Sequence, residues 1–265
     1  MKIVFFFIIL LLKSTSVAWS IGISTLRPIA ELQPGQNGIG KISLSNENTL
    51  PTTVRIEIKK DPNSESGLVD WIKLKSENLY IEPKSTQLLE IQVELPEDAV
   101  GEYSARLVYL ENIQSEEQSA INLSISTPFY VRAKGTELFK CAIENFKLKN
   151  AEDGQLNLDI KNLGNVHLRP VGNATVYSIN RVKRKTTRHT RHYPRSIVHF
   201  RNKQMLGNPV KIDLDSSPIY PNQSRTVDLK VSKPLSPGRY LIEINLSLFE
   251  NSSHSLYESF IFYAD

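Results

Sequence analysis

The chain predicts an all-β fold of two immunoglobulin-like sandwiches in tandem, on three observations. Apolar and polar residues alternate with period two in many short runs, which is the signature of half-buried strands. Turn signals such as Pro34-Gly35, Asp61-Pro62, Pro221-Asn222 and Ser236-Pro237-Gly238 separate those runs at spacings suited to a sandwich. The chain also repeats itself: Ile81, Pro83, Leu89, Ile91 and Val93 return as Ile219, Pro221, Val227, Leu229 and Val231, each 138 positions on. Gly101 and Tyr103 return as Gly238 and Tyr240 after 137 positions, and Ile42, Leu44 and Asn46 match Leu158, Ile160 and Asn162 at an offset of 116. A period this long marks a duplicated domain, since solenoid repeats span about 20–50 residues.

The elements follow in order. Residues 1–20 place Lys2 before an unbroken apolar run from Ile3 to Leu12, followed by small residues around Ala18, which predicts a secretory signal peptide. Ten apolar residues rise about 15 Å as a helix, short of the roughly 20 residues that cross a bilayer. The first domain is expected over 21–134, with strands in IGKISLS, TVRIEI, LEIQVEL, YSARLVYL, INLSIS and PFYVR. The second is expected over 136–265, from a strand entering at Leu138 through QLNLDI, ATVYSI, VKIDL, VDLKV and YLIEINLSLF, with the boundary near Gly135. No stretch holds a 3.6-residue period, so little helix is expected. Tyr103 and Tyr240, each two residues after a glycine, are placed to tie a loop back to upstream backbone as tyrosine corners, and Trp71 is a candidate core anchor. Cys141 is the one cysteine, so no disulfide forms within the chain and each domain must rest on its apolar core.

The formal charge of +4 conceals a local excess. Residues 181–203 hold nine Lys or Arg, three His and no acid. Without those nine and the leader's Lys2 and Lys13, 21 basic residues face 28 acidic ones, a net −7. The segment is an insertion that the first repeat lacks, and Lys183, Arg184, Lys185, Arg188, Arg191 and Arg195 are candidate contacts for an anionic envelope component. A solvated loop without a dedicated ligand accounts for the same charge.

Catalytic signatures are missing. There is no Gly-x-Ser-x-Gly, no phosphate-binding loop and no HExxH, and neither His167 nor His254 stands at metal-ligand spacing from a second donor. Asp213 and Asp215 lie two apart on one expected strand and so face one side, as an alternating solvent-exposed pair does. We therefore expect a non-enzymatic protein with no catalytic residue, cofactor or metal.

Three segments resemble the periplasmic pilus-assembly chaperones of the PapD-like family. Arg27, then Leu32, Pro34 and Gly35, then a strand ending Ile42-x-Leu44-x-Asn46, look like that family's first strands. Ile121, Leu123 and Ile125 running into Pro128-Phe129-Tyr130-Val131-Arg132 resemble its last N-domain strand, and NLGNVHLRPVG and PLSPGRY look like its second domain. The resemblance implies a chaperone that is periplasmic or secreted after cleavage and binds subunits of a surface fibre by β-strand addition, with an usher as a further partner. It implies that Ile121, Leu123 and Ile125 are lent to the subunit, although the same alternation would suit a strand filling its own core. It further implies that cations in an interdomain cleft hold the subunit's terminal carboxylate: Arg27, and on the last strand only Arg132 and Lys134, because residues 119–127 contain no Lys or Arg. The alternative is a secreted or surface-displayed module whose basic loop is its contact surface.

Overall fold

The computed structural model describes residues 21–24, 27–64, 67–113, 121–179, 182–183, 199–200, 203–249 and 254–264, and the segment 1–20 expected as a signal peptide lies outside them. The chain divides into two compact units after Gly135, which has φ +86° and sits in a turn that suits glycine.

In the first unit the strands are β1 (Ile21–Ile23), β2 (Ile29–Leu32), β3 (Asn37–Asn46), β4 (Thr52–Lys60), β5 (Ile72–Leu74), β6 (Asn78–Ile81), β7 (Thr86–Glu94), β8 (Gly101–Ile113) and β9 (Ile121–Ala133). One sheet has the order β1-β3-β7-β5 and the other β2-β9-β8-β4-β6. Alternation decides the layer between them: Ile42 and Leu44, Val54 and Ile56, Leu89, Ile91 and Val93, and Ala105, Leu107 and Tyr109 all turn inward and are buried. A one-turn helix α1 (Leu68–Trp71) closes one side. There Leu68 is fully buried, whereas Trp71, the expected anchor, lies half-buried at the rim with its ring edge-on to Tyr103 at 4.7 Å.

The second unit holds β10 (Cys141–Asn150), β11 (Gln155–Asn162), β12 (Val171–Ile179), β13 (Val182–Lys183), β14 (His199–Phe200), β15 (Lys203–Met205), β16 (Val210–Asp213), β17 (Ser224–Lys230), β18 (Gly238–Ser247) and β19 (Ser255–Ala264). Its sheets run β10-β11-β17 and β15-β12-β18-β19, with β16 also on β12, and β13 pairs with β14 alone. The core is Leu156, Leu158, Ile160, Val176, Ile212, Leu229, Ile242, Ile244 and their neighbours. β10 begins at Cys141, three residues later than Leu138, because Leu138 and Lys140 instead give their carbonyls to Asn165 and Leu163 in a turn.

The repeat is visible in the turns. Lys84 and Asn222, 138 positions apart, have φ 53° and 62°, and each follows a proline, the type II pattern of Pro then a left-handed residue. Both tyrosines form their corners, with opposite polarity. The Tyr103 hydroxyl accepts from the Val100 N–H at 3.0 Å, while Tyr240 donates to the Ser236 carbonyl at 2.6 Å.

Candidate functional site: the free edge of strand β9

β8 and β9 form a hairpin paired along its whole length, from Gly101↔Ala133 to Ile113↔Ile121. On its other side β9 has a partner only at one end, where β2 pairs in parallel from Ile29↔Tyr130 to Leu32↔Ala133. Between Ile121 and Phe129, about 30 Å of strand, no described residue pairs with that edge.

The hydrogen bonds show which groups point outward. The Tyr130 N–H goes to the Pro28 carbonyl at 3.0 Å and the Lys134 N–H to Leu32 at 2.8 Å, so even-numbered residues of β9 direct their main-chain groups away from β8. On that phase Asn122, Ser124 and Ser126 present theirs to the open edge. Pro128 falls in the same phase, so its missing N–H costs no bond to β8, and it separates the open stretch from the ladder with β2. A proline inside PFYVR is a signal of an edge strand that sequence reasoning missed.

Side chains sort with the same period. Ala133, Val131 and Phe129 are buried in the core, Thr127 is buried with its hydroxyl 3.5 Å from that of Tyr109, and Ile125 is half-buried at the rim. Burial pushes the Tyr109 hydroxyl up, against the pull of its Thr127 hydrogen bond. The next rung of this parity sets Leu123 against Glu111, a buried carboxylate that accepts from Thr52 Oγ1 at 2.8 Å, and the last sets Ile121 against Ile113. Glu111 is a residue that sequence reasoning missed: a carboxylate buried at a core-parity position after YSARLVYL.

The three cations named for carboxylate anchoring are not gathered by this edge. Arg132 is buried opposite Glu102, Nε to Oε2 2.7 Å, with a longer approach to exposed Glu31 at 3.8 Å, so a carboxylate from its own sheet already engages it. Arg27 is exposed and immediately precedes Pro28, at the open-edge end of the β2 ladder; Lys134 is exposed at the opposite end, about 13 Å away along four strand residues.

In the basic insertion Lys183 pairs with His199 in β13 and β14, while Arg184, Lys185, Arg188, Arg191 and Arg195 lie outside the described residues. Among the described residues no three His, Cys, Asp or Glu side chains converge as a metal site would require. His167 is buried, its Nε2 accepting from Arg169 Nε at 3.1 Å, and His254 stacks on Phe139 at 4.6 Å. Asp213 ends β16 rather than sharing a strand with Asp215. Its carboxyl is held low by the Lys211 ammonium at 2.7 Å and by the Asp215 N–H.

No family model and no curated protein matches the chain. Solved structures do. The YadV chaperone is 10% identical over 92% of this chain and 100% of its own, with a TM-score of 0.49. A Salmonella enterica SafA pilin–SafB chaperone complex is 14% identical over 91% and 96%, also at 0.49, and the E. coli chaperone DraB is 12% identical over 91% and 98%, at 0.48. Each of these three structures is of a chaperone, one of them in complex with a pilin.

Proposed function

We propose that the protein is a non-enzymatic, chaperone-like protein of the periplasm that binds a fibre subunit by adding the open edge of β9 to the subunit's incomplete sheet. One observation carries this: among the described residues nothing pairs with the outer edge of β9 between Ile121 and Phe129, although β8 pairs with its other side along the whole strand. Asn122, Ser124 and Ser126 supply main-chain donors and acceptors to the incoming strand, and Ile121, Leu123 and Ile125 supply the alternate side chains that fill its groove. Arg27, exposed beside that edge, is a candidate for a client carboxylate through a bidentate contact. Export through residues 1–20 and delivery to an usher belong to the same proposal.

The test is Leu123→Lys. Lysine is preferred to glutamate because Glu111 stands opposite and a second acid would destabilise the rung. Captures from the native envelope by the wild type and the variant are compared, with circular dichroism to confirm folding. Loss of a small strand-incomplete subunit from the folded variant is expected. An unchanged capture, or an unfolded variant, would sink the proposal.

A second function rests on the charge of residues 181–203 alone, a contact with an anionic envelope component. Deleting 184–200 should then lower retention on heparin in a salt-dependent way.

A further inference from the structure

The outer face of the β2-β9-β8-β4-β6 sheet carries an unbalanced charge. Ala105, Leu107 and Tyr109 turn inward on β8, as do Val54 and Ile56 on β4, so Arg106 and the residues Arg55, Glu57 and Lys59 turn outward. Lys59 and Arg106 stand directly opposite each other in the β4–β8 ladder, a placement of like charges that weakens a sheet. The one acid on those rungs is already shared: Glu57 meets Arg55 at 3.4 Å through Oε1 and Lys59 at 3.1 Å through Oε2. Asp61, two residues past Lys59, is fully buried and accepts from Ser104 Oγ at 2.9 Å and from the Asn63 N–H at 3.1 Å. Among the described residues no carboxylate forms an ion pair with Arg106, although that side chain is half-buried.

The same row continues onto β9. Arg106 is level with Pro128, which turns outward between the buried Thr127 and Phe129 and closes the edge proposed to receive the client. A strand added there lies about 4.8 Å beyond β9 and about 10 Å from β8. An arginine and an acidic side chain leaning toward each other span that distance over the proline, whose ring offers no competing hydrogen bond. The planar guanidinium, with five donors, suits a carboxylate. Side chains stand up from a sheet whereas the end of a strand stays in its plane, so a cation mounted on the face meets a side chain. The client's terminal carboxylate is left to Arg27 at the rim.

We infer that Arg106, with Lys59 as the second cation, holds an aspartate or glutamate side chain of the client strand, and so selects clients with an acid near that end of the strand. This role exists only if β9 receives the client, as proposed above.

In the test, wild type and variants compete for the subunit that envelope capture identifies, over a series of salt concentrations. Arg106→Gln should hold that subunit about tenfold or more less tightly at low salt, with a shallower dependence on salt, and Arg106→Lys should recover part of the loss. Circular dichroism should stay native, because the change relieves the repulsion with Lys59. Changing the acids of the subunit's added strand to amides should abolish the difference between wild type and Arg106→Gln. An Arg106→Gln protein that competes equally with the wild type, while Leu123→Lys fails to compete, overturns this inference and leaves the reading of β9 standing. A difference that disappears only when the subunit's final residue is removed also overturns it, since the anion is then the end of the chain. A subunit bound equally well by Leu123→Lys, or no subunit captured at all, overturns both.

Discussion

Asn162 donates from Nδ2 to the Ile219 carbonyl at 2.8 Å, and Asn46 donates to the Ile81 carbonyl at 3.1 Å, the same contact built twice from residues that recur in the sequence. Each asparagine is fully buried at the end of a strand, and each makes a second bond across its own turn, to Val166 at 2.7 Å and to Leu50 at 2.8 Å. Each side-chain oxygen accepts from the N–H two residues on, that of Gly164 or Asn48. The main chain joins in, with the Asn162 N–H to Gln223 and the Asn46 N–H to Ser85, again 138 positions apart. Only an amide has the donor pair and acceptor this lock needs. Asn162→Ala should cost about 2–4 kcal/mol, because buried carbonyls lose their donors. Urea unfolding measures this, and a loss below about 1 kcal/mol would show that water replaces the side chain.

The buried Glu102–Arg132 pair predicts an asymmetry. Glu102→Ala strands a buried guanidinium and should cost about 3–5 kcal/mol, whereas the double change Glu102→Leu with Arg132→Met should recover most of it. A double variant as unstable as the single one would mean that the pair is not the source of the loss.

Cys141 predicts an alkaline dependence. Burial, with a smaller push from the charge of Glu258, raises its thiol from 9.0 to about 12. The folded state therefore holds the proton more tightly than the unfolded one. Its contribution is fully present below about pH 9 and is lost as pH rises through 9 to 12. Native protein should resist thiol alkylation at pH 8 to 9 and react promptly once unfolded in urea. Cys141→Val should remove that part of the alkaline loss of stability.

Lys84 holds a left-handed conformation that its counterpart Asn222 adopts more readily. Lys84→Asn should raise stability by about 0.5 kcal/mol through relieved backbone strain, read as a higher midpoint in thermal unfolding. A lower midpoint would show that the Lys84 ammonium, which reaches the Glu47 carbonyl, matters more than the backbone.

Much was legible in the sequence because it is written locally. Period-two alternation placed the main strands of both sandwiches, and the echo of Asn46, Ile81 and Pro83 in Asn162, Ile219 and Pro221 marked the positions that close each one. Neighbours outside the run determined the rest. Trp71 reads as a core anchor by composition, yet Leu68 holds that place because the helical turn points it inward. Arg132 reads as a free cation until β8 brings Glu102 opposite it. Lys134 and Arg27 are both near β9 in any strand-level account, and only the parallel ladder of β2 sets them at opposite ends.

The sequence by itself determined that this protein is built of duplicated, alternating strands with the apolar triplet Ile121, Leu123 and Ile125 near the end of the first repeat. Tertiary structure alone decided that, among the described residues, nothing pairs with the outer edge of β9 from Ile121 to Phe129. Alternation specifies which side of a strand meets apolar surroundings, since successive side chains point to opposite faces. Whether those surroundings are the domain's own core or a partner's depends on which strands pair beside it, and pairing is settled by residues far apart in the chain.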